Sequence, residues 1–382
     1  MKKKIGIAFL IVLVLSGIVI ADKWIKNSAS HTQKEDFTDK DSLELDSTDE
    51  NSMKQNSSNE AIGEKKSVAE GTSFFYEKSL YTFLSNNRLE LTECYAEPDI
   101  SSVSVPELVP YEGDNYPVTK IGNNAFHSYC ANVSQIEFPK TITDVGYQAF
   151  RGTEWLNSIQ MTDYVIIGDD TLAYFHVKES TVTIPDGVKH IGAAFFKNPD
   201  ITSISIPKSV ESISEKAFYY CTSLSEVEVP DTVDYIDIDA FTGTPWLAGQ
   251  EDFVITGNQI LLAYHGKTEN VVLPEKIRLI APGAFANSMV KEITFPATIQ
   301  KIGREAFSGC LNLEKIILPD SVQVIENKAF VMCSALKEIS ISAEIQYMGP
   351  NTFLYCDKLE YPEIPEEITK KFSKQYLGLI QQ

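Results

Sequence analysis

A motif that recurs every 22 to 24 residues constrains the fold of this 382-residue chain more than any other feature. In Ile302–Phe330 it reads I-G-x-x-A-F-x-x-C-x-x-L-x-x-I-x-L-P-x-x-V-x-x-I and then begins again. Aligned on the phenylalanine of its Ala-Phe pair, the motif marks Phe126, Phe150, Phe196, Phe218, Phe241, Phe285, Phe307, Phe330 and Phe353. Two of the spacings, 46 and 44 residues, are about twice the unit. A repeat of this period predicts a solenoid of stacked coils.

A proline lies 11 residues before most of these phenylalanines and checks the register independently. These prolines are Pro139, Pro185, Pro207, Pro230, Pro274, Pro296 and Pro319. Before each proline the apolar residues alternate, as one face of a strand requires, and proline ends the strand because it cannot donate to a ladder. After it, apolar residues such as Val233 and Ile236 turn inward. We predict one parallel strand per coil, and some eleven coils would extend on the order of 50 Å.

Four of the six cysteines occupy one slot of the motif, three residues after the phenylalanine. They are Cys221, Cys310, Cys333 and Cys356. A repeated position indicates a small buried hydrophobic residue. Stacking could bring Cys310, Cys333 and Cys356 within disulfide range, but the slot recurs whether or not a partner is adjacent. We therefore expect free thiols.

The two long spacings contain matching sequences. One has Gly152-Thr-Glu-Trp155-Leu before DYVIIGDDTLAYF, and the other has Gly243-Thr-Pro-Trp246-Leu before DFVITGNQILLAY. Each predicts an aromatic anchor and a β-hairpin around a Gly-Asp or Gly-Asn turn. We expect each hairpin to replace the return segment of one coil while its strands stay in the stack.

The regions flanking the repeats predict two caps. In residues 71–110, FFYEKSLYTFLSNNRLELTECY places strand-like segments on both sides of a Ser-Asn-Asn turn. We predict an N-terminal β cap there, because the open end of a solenoid needs a lid. Residues 107–120 predict a long loop. The solenoid is expected over 111–360 and a short C-terminal cap over 361–382.

The first 70 residues predict export. A basic MKKK precedes the apolar run of residues 5–21, so residues 1–21 form an export signal or a membrane anchor. Cleavage near Ala21 and retention in the membrane both remain open. Residues 22–70 are polar and charged and predict a disordered tether, because they cannot bury enough apolar surface to offset chain entropy.

The repeated text I-x-I-P-x-x-V-x-x-I-x-x-x-A-F-x-x-C-x-x-L and the G-T-x-W-L blocks, over roughly residues 100–360, resemble the BspA-like class of bacterial leucine-rich repeats. The resemblance implies a secreted or surface-held protein. It also implies a role in adhesion, host-matrix binding or cell–cell contact, and it brings no shared catalytic residues.

Charge and motifs exclude several classes of function. The chain has 33 basic and 53 acidic residues, a net charge of −20, which argues against nucleic acid as a partner. It contains no P-loop, G-x-S-x-G, H-E-x-x-H or dinucleotide glycine pattern. We predict no catalytic, cofactor or metal site and no enzyme activity. The acidic run with Asp231, Asp234, Asp237 and Asp239 is interpreted as a solvated face.

The strand positions that face outward, two and four residues before the proline, are mostly small and polar, with almost no aromatic residues or arginine. Binding hot spots favour tyrosine, tryptophan and arginine. We therefore place the candidate partner-binding residues at the bends and hairpins: Tyr129, Tyr174, Tyr219, Tyr220, Tyr264 and Tyr355.

These observations together predict an extracellular protein of a bacterial cell, tethered to the membrane by residues 5–21 or secreted. We expect it to bind a protein or a cell-surface ligand as an adhesion module. A structural component of the cell envelope without a discrete ligand is the alternative.

Overall fold

A computed structural model describes residues 68–159, 164–175, 179–359, 366–374 and 376–379. All of them lie within the compact unit Lys65–Gln382. The predicted export segment 1–21 and almost all of the predicted tether 22–70 lie outside the described residues.

The N-terminal region is built of strands up to the first regular coil. Its strands are β1 (Ser73–Tyr76), β2 (Ser79–Leu84), β3 (Arg88–Cys94), β4 (Ser102–Ser104), β5 (Leu108–Tyr111) and β6 (Asp114–Ile121). The first three form an antiparallel meander around the turn Ser85–Asn87. Strand β3 then pairs in parallel with β6, which pairs with the next coil. The predicted N-terminal hairpin is therefore present and continues the sheet of the solenoid.

The prediction of a long loop over residues 107–120 is wrong. Strands β5 and β6 form an antiparallel hairpin around Glu112 and Gly113, both of which have positive φ angles (48° and 93°). Three prolines in and beside this stretch favoured a loop in the sequence. The hairpin tolerates Pro110 because β5 is the last strand of its sheet, where a missing N–H breaks no ladder.

Each regular coil contributes two short strands, one to each of two parallel ladders. The first ladder consists of β4 with β7 (Gln135–Glu137), β11 (Thr181–Thr183), β13 (Ser203–Ser205), β15 (Glu226–Glu228), β19 (Asn270–Val272), β21 (Glu292–Thr294), β23 (Lys315–Ile317) and β25 (Glu338–Ser340). These are the strands predicted before the prolines. The hairpin coils divide this ladder into three sheets.

The second ladder lies on the return path, where the sequence predicted only inward apolar residues. Its strands after β6 are β8 (Asp144–Val145), β10 (Thr171–Phe175), β12 (His190–Ile191), β14 (Ser212–Ile213), β16 (Tyr235–Ile236), β18 (Ile260–Tyr264), β20 (Leu279–Ile280), β22 (Lys301–Ile302), β24 (Val324–Ile325) and β26 (Tyr347–Met348). Because side chains alternate along a strand, the second residue of each two-residue strand is buried in the core. The first residue faces the other way.

The two predicted hairpins are present. Strands β9 (Tyr164–Ile167) and β17 (Phe253–Thr256) pair antiparallel with β10 and β18. Only the second strand of each hairpin continues the ladder in parallel, and the first strand ends the sheet. At the turn, Gly257 has a φ of 56°, and a Cβ there would come within 2.8 Å of the carbonyl oxygen of Val233, so glycine is required.

A short helix carries each aromatic anchor, an element that the sequence analysis missed. Helices α1 (Glu154–Ser158) and α2 (Pro245–Ala248) begin after Thr153 and Thr244. The hydroxyl oxygen of each threonine accepts a hydrogen bond from the backbone amide of the residue three positions later. Each helix places its tryptophan against the last buried phenylalanine before the hairpin, with ring centroids 4.7 Å apart in both cases.

A column of aromatic rings fills the centre of the coils. Its members include Phe195, Phe218, Phe241, Phe285, Phe307, Phe330 and Phe353, whose exposure does not exceed 1%. Within unbroken runs of coils, adjacent ring centroids are 4.9 to 5.7 Å apart. The alignment on Phe196 is wrong by one residue. Phe195 stacks on Phe218, whereas Phe196 lies outside the column.

The cysteines are free thiols, as expected. The thiols in the repeated slot donate to the phenylalanine carbonyl of the preceding coil, over 3.0 to 3.1 Å. These pairs are Cys221 with Phe195, Cys310 with Phe285, Cys333 with Phe307 and Cys356 with Phe330. The first pair confirms that Phe195 holds the motif position. Burial raises the pKa of the Cys221 and Cys310 thiols to about 11.

The C-terminal segment covers the last coil. Helix α3 (Glu366–Lys371) buries Ile368 in the main hydrophobic core. The Leu377 carbonyl accepts a hydrogen bond from the Phe353 amide, as the next coil would. The Asn351 amide likewise donates to the Tyr376 carbonyl, so the C-terminal segment pairs two amides at the end of the array.

Candidate functional site

Four aromatic residues form a row outside the buried column, which we call the aromatic row. Tyr147 stacks on Phe196 with ring centroids 5.0 Å apart. Phe196 stacks on Tyr219 at 5.6 Å and an interplanar angle of 7°. Tyr219 in turn contacts Tyr220 at 4.6 Å. The row brings two of the predicted partner-binding residues together with Tyr147 and Phe196, which the sequence analysis did not select as binding residues.

The local sequence explains why these rings lie outside the core. Phe196 and Tyr219 each follow directly after a column residue and so point to the other side of the bend. Tyr220 is 48% exposed and has a φ of 53°. Its ring packs over Gly243 of the next coil, where a Cβ would come within 2.9 Å of it.

Two lysines accompany the aromatic row. The ammonium of Lys216 lies 4.9 Å from the ring centroid of Tyr147 and 6.0 Å from that of Tyr219, and it forms an ion pair with Glu215. Lys197 lies 5.3 Å from the centroid of Phe196. Cation–π contacts at exposed sites are worth about 0.5–1 kcal/mol. The surface therefore combines aromatic rings with positive charge.

The other predicted tyrosines lie apart from this row. Tyr129 is 53% exposed and packs on Tyr95 at 4.6 Å. Tyr355 is exposed and has a φ of 62° in the slot that Tyr220 occupies in its own coil.

The two hairpin tyrosines, which the sequence placed in matching blocks, are not structurally equivalent. Tyr264 belongs to the aromatic column, stacking on Phe285 at 4.8 Å, and its hydroxyl hydrogen-bonds Thr268. The residue equivalent to it in the first hairpin is Phe175, which packs on Phe195 at 4.7 Å. Tyr174 is half-buried against the N-terminal core.

A cavity of about 720 Å³ lies against the second ladder. The first residues of its two-residue strands line the wall, as their alternation requires: Asp144, His190, Ser212, Tyr235, Leu279, Lys301, Val324 and Tyr347. The N-terminal region contributes Glu70 and the segment Leu84–Asn86. Residues from the N-terminal and C-terminal parts of the solenoid therefore line the same cavity.

Arg304 connects distant coils across this cavity. Its guanidinium lies 3.1 Å from Asp237 and 3.3 Å from Glu215, while its amide donates to Glu326. Burial raises the pKa of Asp237 although Arg304 opposes this effect. The pKa of Glu215 is lowered, because its hydrogen bond with Lys216 and the charge of Arg304 together outweigh its burial.

A second group of ion pairs lies near the N-terminal end of the cavity. Lys120 is 3.3 Å from Asp144 and 3.6 Å from Glu90. The charge of Asp144 raises the pKa of Lys120 well above its ordinary value. One oxygen of Asp144 is buried without a hydrogen-bond partner. His190 donates to or accepts from Ser212 over 2.8 Å, and burial lowers the pKa of its imidazole.

A family model for the BspA type leucine-rich repeat region matches residues 119–248 and 260–376 in six copies. The match covers more than half of the chain and coincides with the coils described above. The chain belongs to the BspA-type leucine-rich repeat family. The fold class expected from the sequence is thereby confirmed.

Solved leucine-rich repeat proteins resemble this chain at low identity. A leucine-rich cell surface protein from Faecalibacterium prausnitzii A2-165 is 19% identical, covering 77% of this chain and 96% of its own, with a TM-score of 0.32. A leucine-rich repeat protein from Bacteroides ovatus is 20% identical, covering 79% and 96%, with a TM-score of 0.32. The pneumococcal vaccine antigen PcpA is 15% identical, covering 79% and 96%, with a TM-score of 0.24. No curated protein matches the chain.

For this member of the leucine-rich repeat family, one expectation about the site needs correction. The acidic run is not a uniformly solvated face, because Asp237 pairs with Arg304 in the cavity and Asp234 pairs with Arg278 at 2.9 Å. The cavity lies against the second ladder, whose outward residues the sequence analysis did not consider. The available signal was the varied residue, polar in most coils, directly before the inward apolar residue of each two-residue strand.

The membrane prediction rests on sequence alone. Among the residues that the structure describes, no helix is both long and apolar enough to cross a bilayer, and the apolar run of residues 5–21 is not among them.

Proposed function

We propose that the protein is a binding module displayed on the outer side of a bacterial cell, and that it holds a protein partner through the aromatic row. The family supports a binding role in general, because leucine-rich repeat solenoids offer a long surface on a rigid core. The apolar run of residues 5–21 supports export, with anchoring by that run or release after cleavage near Ala21.

The aromatic row is the observation that carries this proposal. Its four rings are not needed to fill the core, which the phenylalanine column already occupies. Tyrosine and aromatic residues dominate the energetics of protein interfaces, and they are rare among the outward positions of the first ladder. The row is also continuous across neighbouring coils, as a partner with one contact surface would require.

The cavity is a weaker candidate for capturing a folded partner. Its charged groups are paired with one another, and the chain's own Glu70 lies across it. Tyr220 of the aromatic row, by contrast, is 48% exposed.

The test compares two variants at one structural slot. Tyr220→Asn removes the exposed ring of the aromatic row, and asparagine tolerates the positive φ, as Asn287 shows in the same slot. The control is Met332→Asn, because Met332 has a φ of 61° in that slot and is 50% exposed. The full chain in detergent micelles is assayed against immobilised collagen, laminin and fixed bacterial cells.

We expect saturable binding to at least one of these surfaces. Tyr220→Asn should weaken it at least about tenfold, the effect of losing an interface residue worth roughly 1.4 kcal/mol, while Met332→Asn should not. Equal binding by the two variants would remove the aromatic row from the interaction. Self-association without capture of any surface would favour the alternative, a structural component of the cell envelope.

A further inference from the structure

Glu70 joins the two ends of the described array. Its carboxylate accepts a hydrogen bond from the Tyr347 hydroxyl over 2.9 Å and another from the Asn327 side-chain amide over 3.2 Å. The two donors lie 257 and 277 residues further along the chain, in successive coils of the second ladder. Each carboxylate oxygen therefore has its own donor, as in a built carboxylate site.

The backbone presents Glu70 at a fixed place. The Gly71 amide donates to the Phe83 carbonyl over 2.8 Å, and the Val68 amide donates to the Asn87 side chain over 3.1 Å. These bonds hold the turn that contains Glu70 against the N-terminal meander. Neither bond involves an atom of Glu70 itself, so rotation of its side chain would vacate the site without breaking them.

Charged groups of both signs lie near this carboxylate. Burial and the neighbouring Glu326 raise the pKa of Glu70, whereas its hydrogen bond with Tyr347 and the charges of Arg304 and Arg88, which line the same cavity, lower it. The net direction is upward, so burying this carboxylate costs free energy. An apolar contact could hold the chain ends together without that cost, so closure alone does not explain why donors and cations meet a carboxylate here.

The remaining cavity has room for more than one side chain. Its volume of about 720 Å³ falls in the range of about 300–1,000 Å³ typical of ligand sites. Along its wall the second ladder alternates polar and apolar side chains, in the order Tyr347, Val324, Lys301, Leu279 and Tyr235. An extended segment bound at the carboxylate site would lie along these groups.

We propose that Asn327 and Tyr347, flanked by Arg88 and Arg304, form a carboxylate-binding site that the chain's own Glu70 fills, and that an acidic peptide segment binds there in its place. Glu70 thus acts as an internal competitor. This site is separate from the aromatic row, so it stands independently of the function proposed above.

The test uses a five-residue peptide with the sequence of Val68–Thr72, acetylated and amidated so that its glutamate carries the only carboxylate. Its binding to the full chain in detergent micelles is followed by fluorescence anisotropy. The Glu70→Ala protein should bind it at least tenfold more tightly than the unaltered protein. A peptide with glutamine in place of its glutamate should bind the Glu70→Ala protein much more weakly. The double variant Glu70→Ala, Tyr347→Phe should likewise bind the original peptide weakly.

Two further variants keep the result interpretable. Glu107→Ala removes an exposed acid of the same region and should bind like the unaltered protein. Near-ultraviolet circular dichroism would reveal whether the Glu70→Ala protein unfolds. If it does, the Glu70→Gln protein, which keeps the length of the side chain, replaces it in the assay. The Glu70→Gln protein should also bind the peptide more tightly than the unaltered protein. Equal peptide affinity with and without Glu70, or equal affinity for the two peptides, would overturn the proposal.

Discussion

The guanidinium of Arg304 lies 3.1 Å from the carboxylate of Asp237, although 67 residues separate them in the sequence. The contact crosses the cavity rather than following a ladder, so it joins coils that are not neighbours. In most solenoids each coil contacts only the next one. In this protein, side-chain contacts such as this one also connect coils that are not adjacent.

Replacing Arg304 with alanine should destabilise the protein by about 3 kcal/mol. The change leaves Asp237 largely buried without its paired arginine and removes one of the two cations that pair with Glu215, and breaking a buried pair from one side typically costs about 3–5 kcal/mol. Chemical denaturation of the two proteins measures the difference. Arg151→Ala is the control, because Arg151 is exposed and should change stability by less than about 0.5 kcal/mol. Equal effects would show that the cross-cavity pairs add no net stability.

The stability of the unaltered protein relative to Asp237→Asn should fall as pH rises. Burial places the pKa of Asp237 above its ordinary value, so between the two values the native state binds more protons than the unfolded state. The contribution of Asp237 to the free energy of unfolding is fully present below its ordinary pKa and is lost as pH rises through its raised native-state pKa. Urea unfolding at about pH 3.5, 5, 6.5 and 8 tests this linkage. A constant difference between the two proteins would contradict it, and the exposed Asp231→Asn is the matched control.

Phe195→Ala and Phe196→Ala should differ sharply in stability. Phe195 is 1% exposed within the column, so its truncation should cost about 3–5 kcal/mol. Phe196 is half-buried between Tyr147 and Tyr219, and its loss should cost about 1 kcal/mol. Thermal unfolding distinguishes them. If Phe196→Ala were instead the more destabilising variant, Phe196 would hold the column position, as the proline spacing predicts.

The thiol of Cys310 should resist alkylation in the native protein. Burial raises its pKa to about 11, and the thiolate is the reactive form. Iodoacetamide at about pH 8 followed by peptide mass spectrometry should find Cys310 and Cys221 unmodified, and both modified after urea is added. Rapid native labelling at either residue would mean that the coils open locally.

The sequence predicts the coil well, because each slot obeys a local rule. Pro207 ends a strand, Ile213 points inward by alternation, and Gly257 permits a tight turn. The register error at Phe196 has the same origin, since two adjacent phenylalanines both fit the aromatic slot. The stacking of Phe195 on Phe218 and the hydrogen bond from the Phe195 amide to the Ala217 carbonyl show which one belongs to the column.

The cavity could not be predicted by such rules. Its lining comes from many coils and from the N-terminal region, and no single repeat specifies how these are brought together. The pairs of Arg304 with Asp237 and of Glu70 with Tyr347 join residues 67 and 277 positions apart. Each of these side chains, taken alone in the sequence, is an ordinary charged or polar residue at a variable position.

The contact between Glu70 and Tyr347 limits how this gene can change its length. An open solenoid can gain or lose a repeat by recombination, because a new coil merely shifts one free end. Here one additional coil would move Tyr347 by about 4.8 Å relative to Glu70, more than a hydrogen bond tolerates. Natural variants that keep this contact should therefore keep the same number of repeats and differ in the residues on their surface.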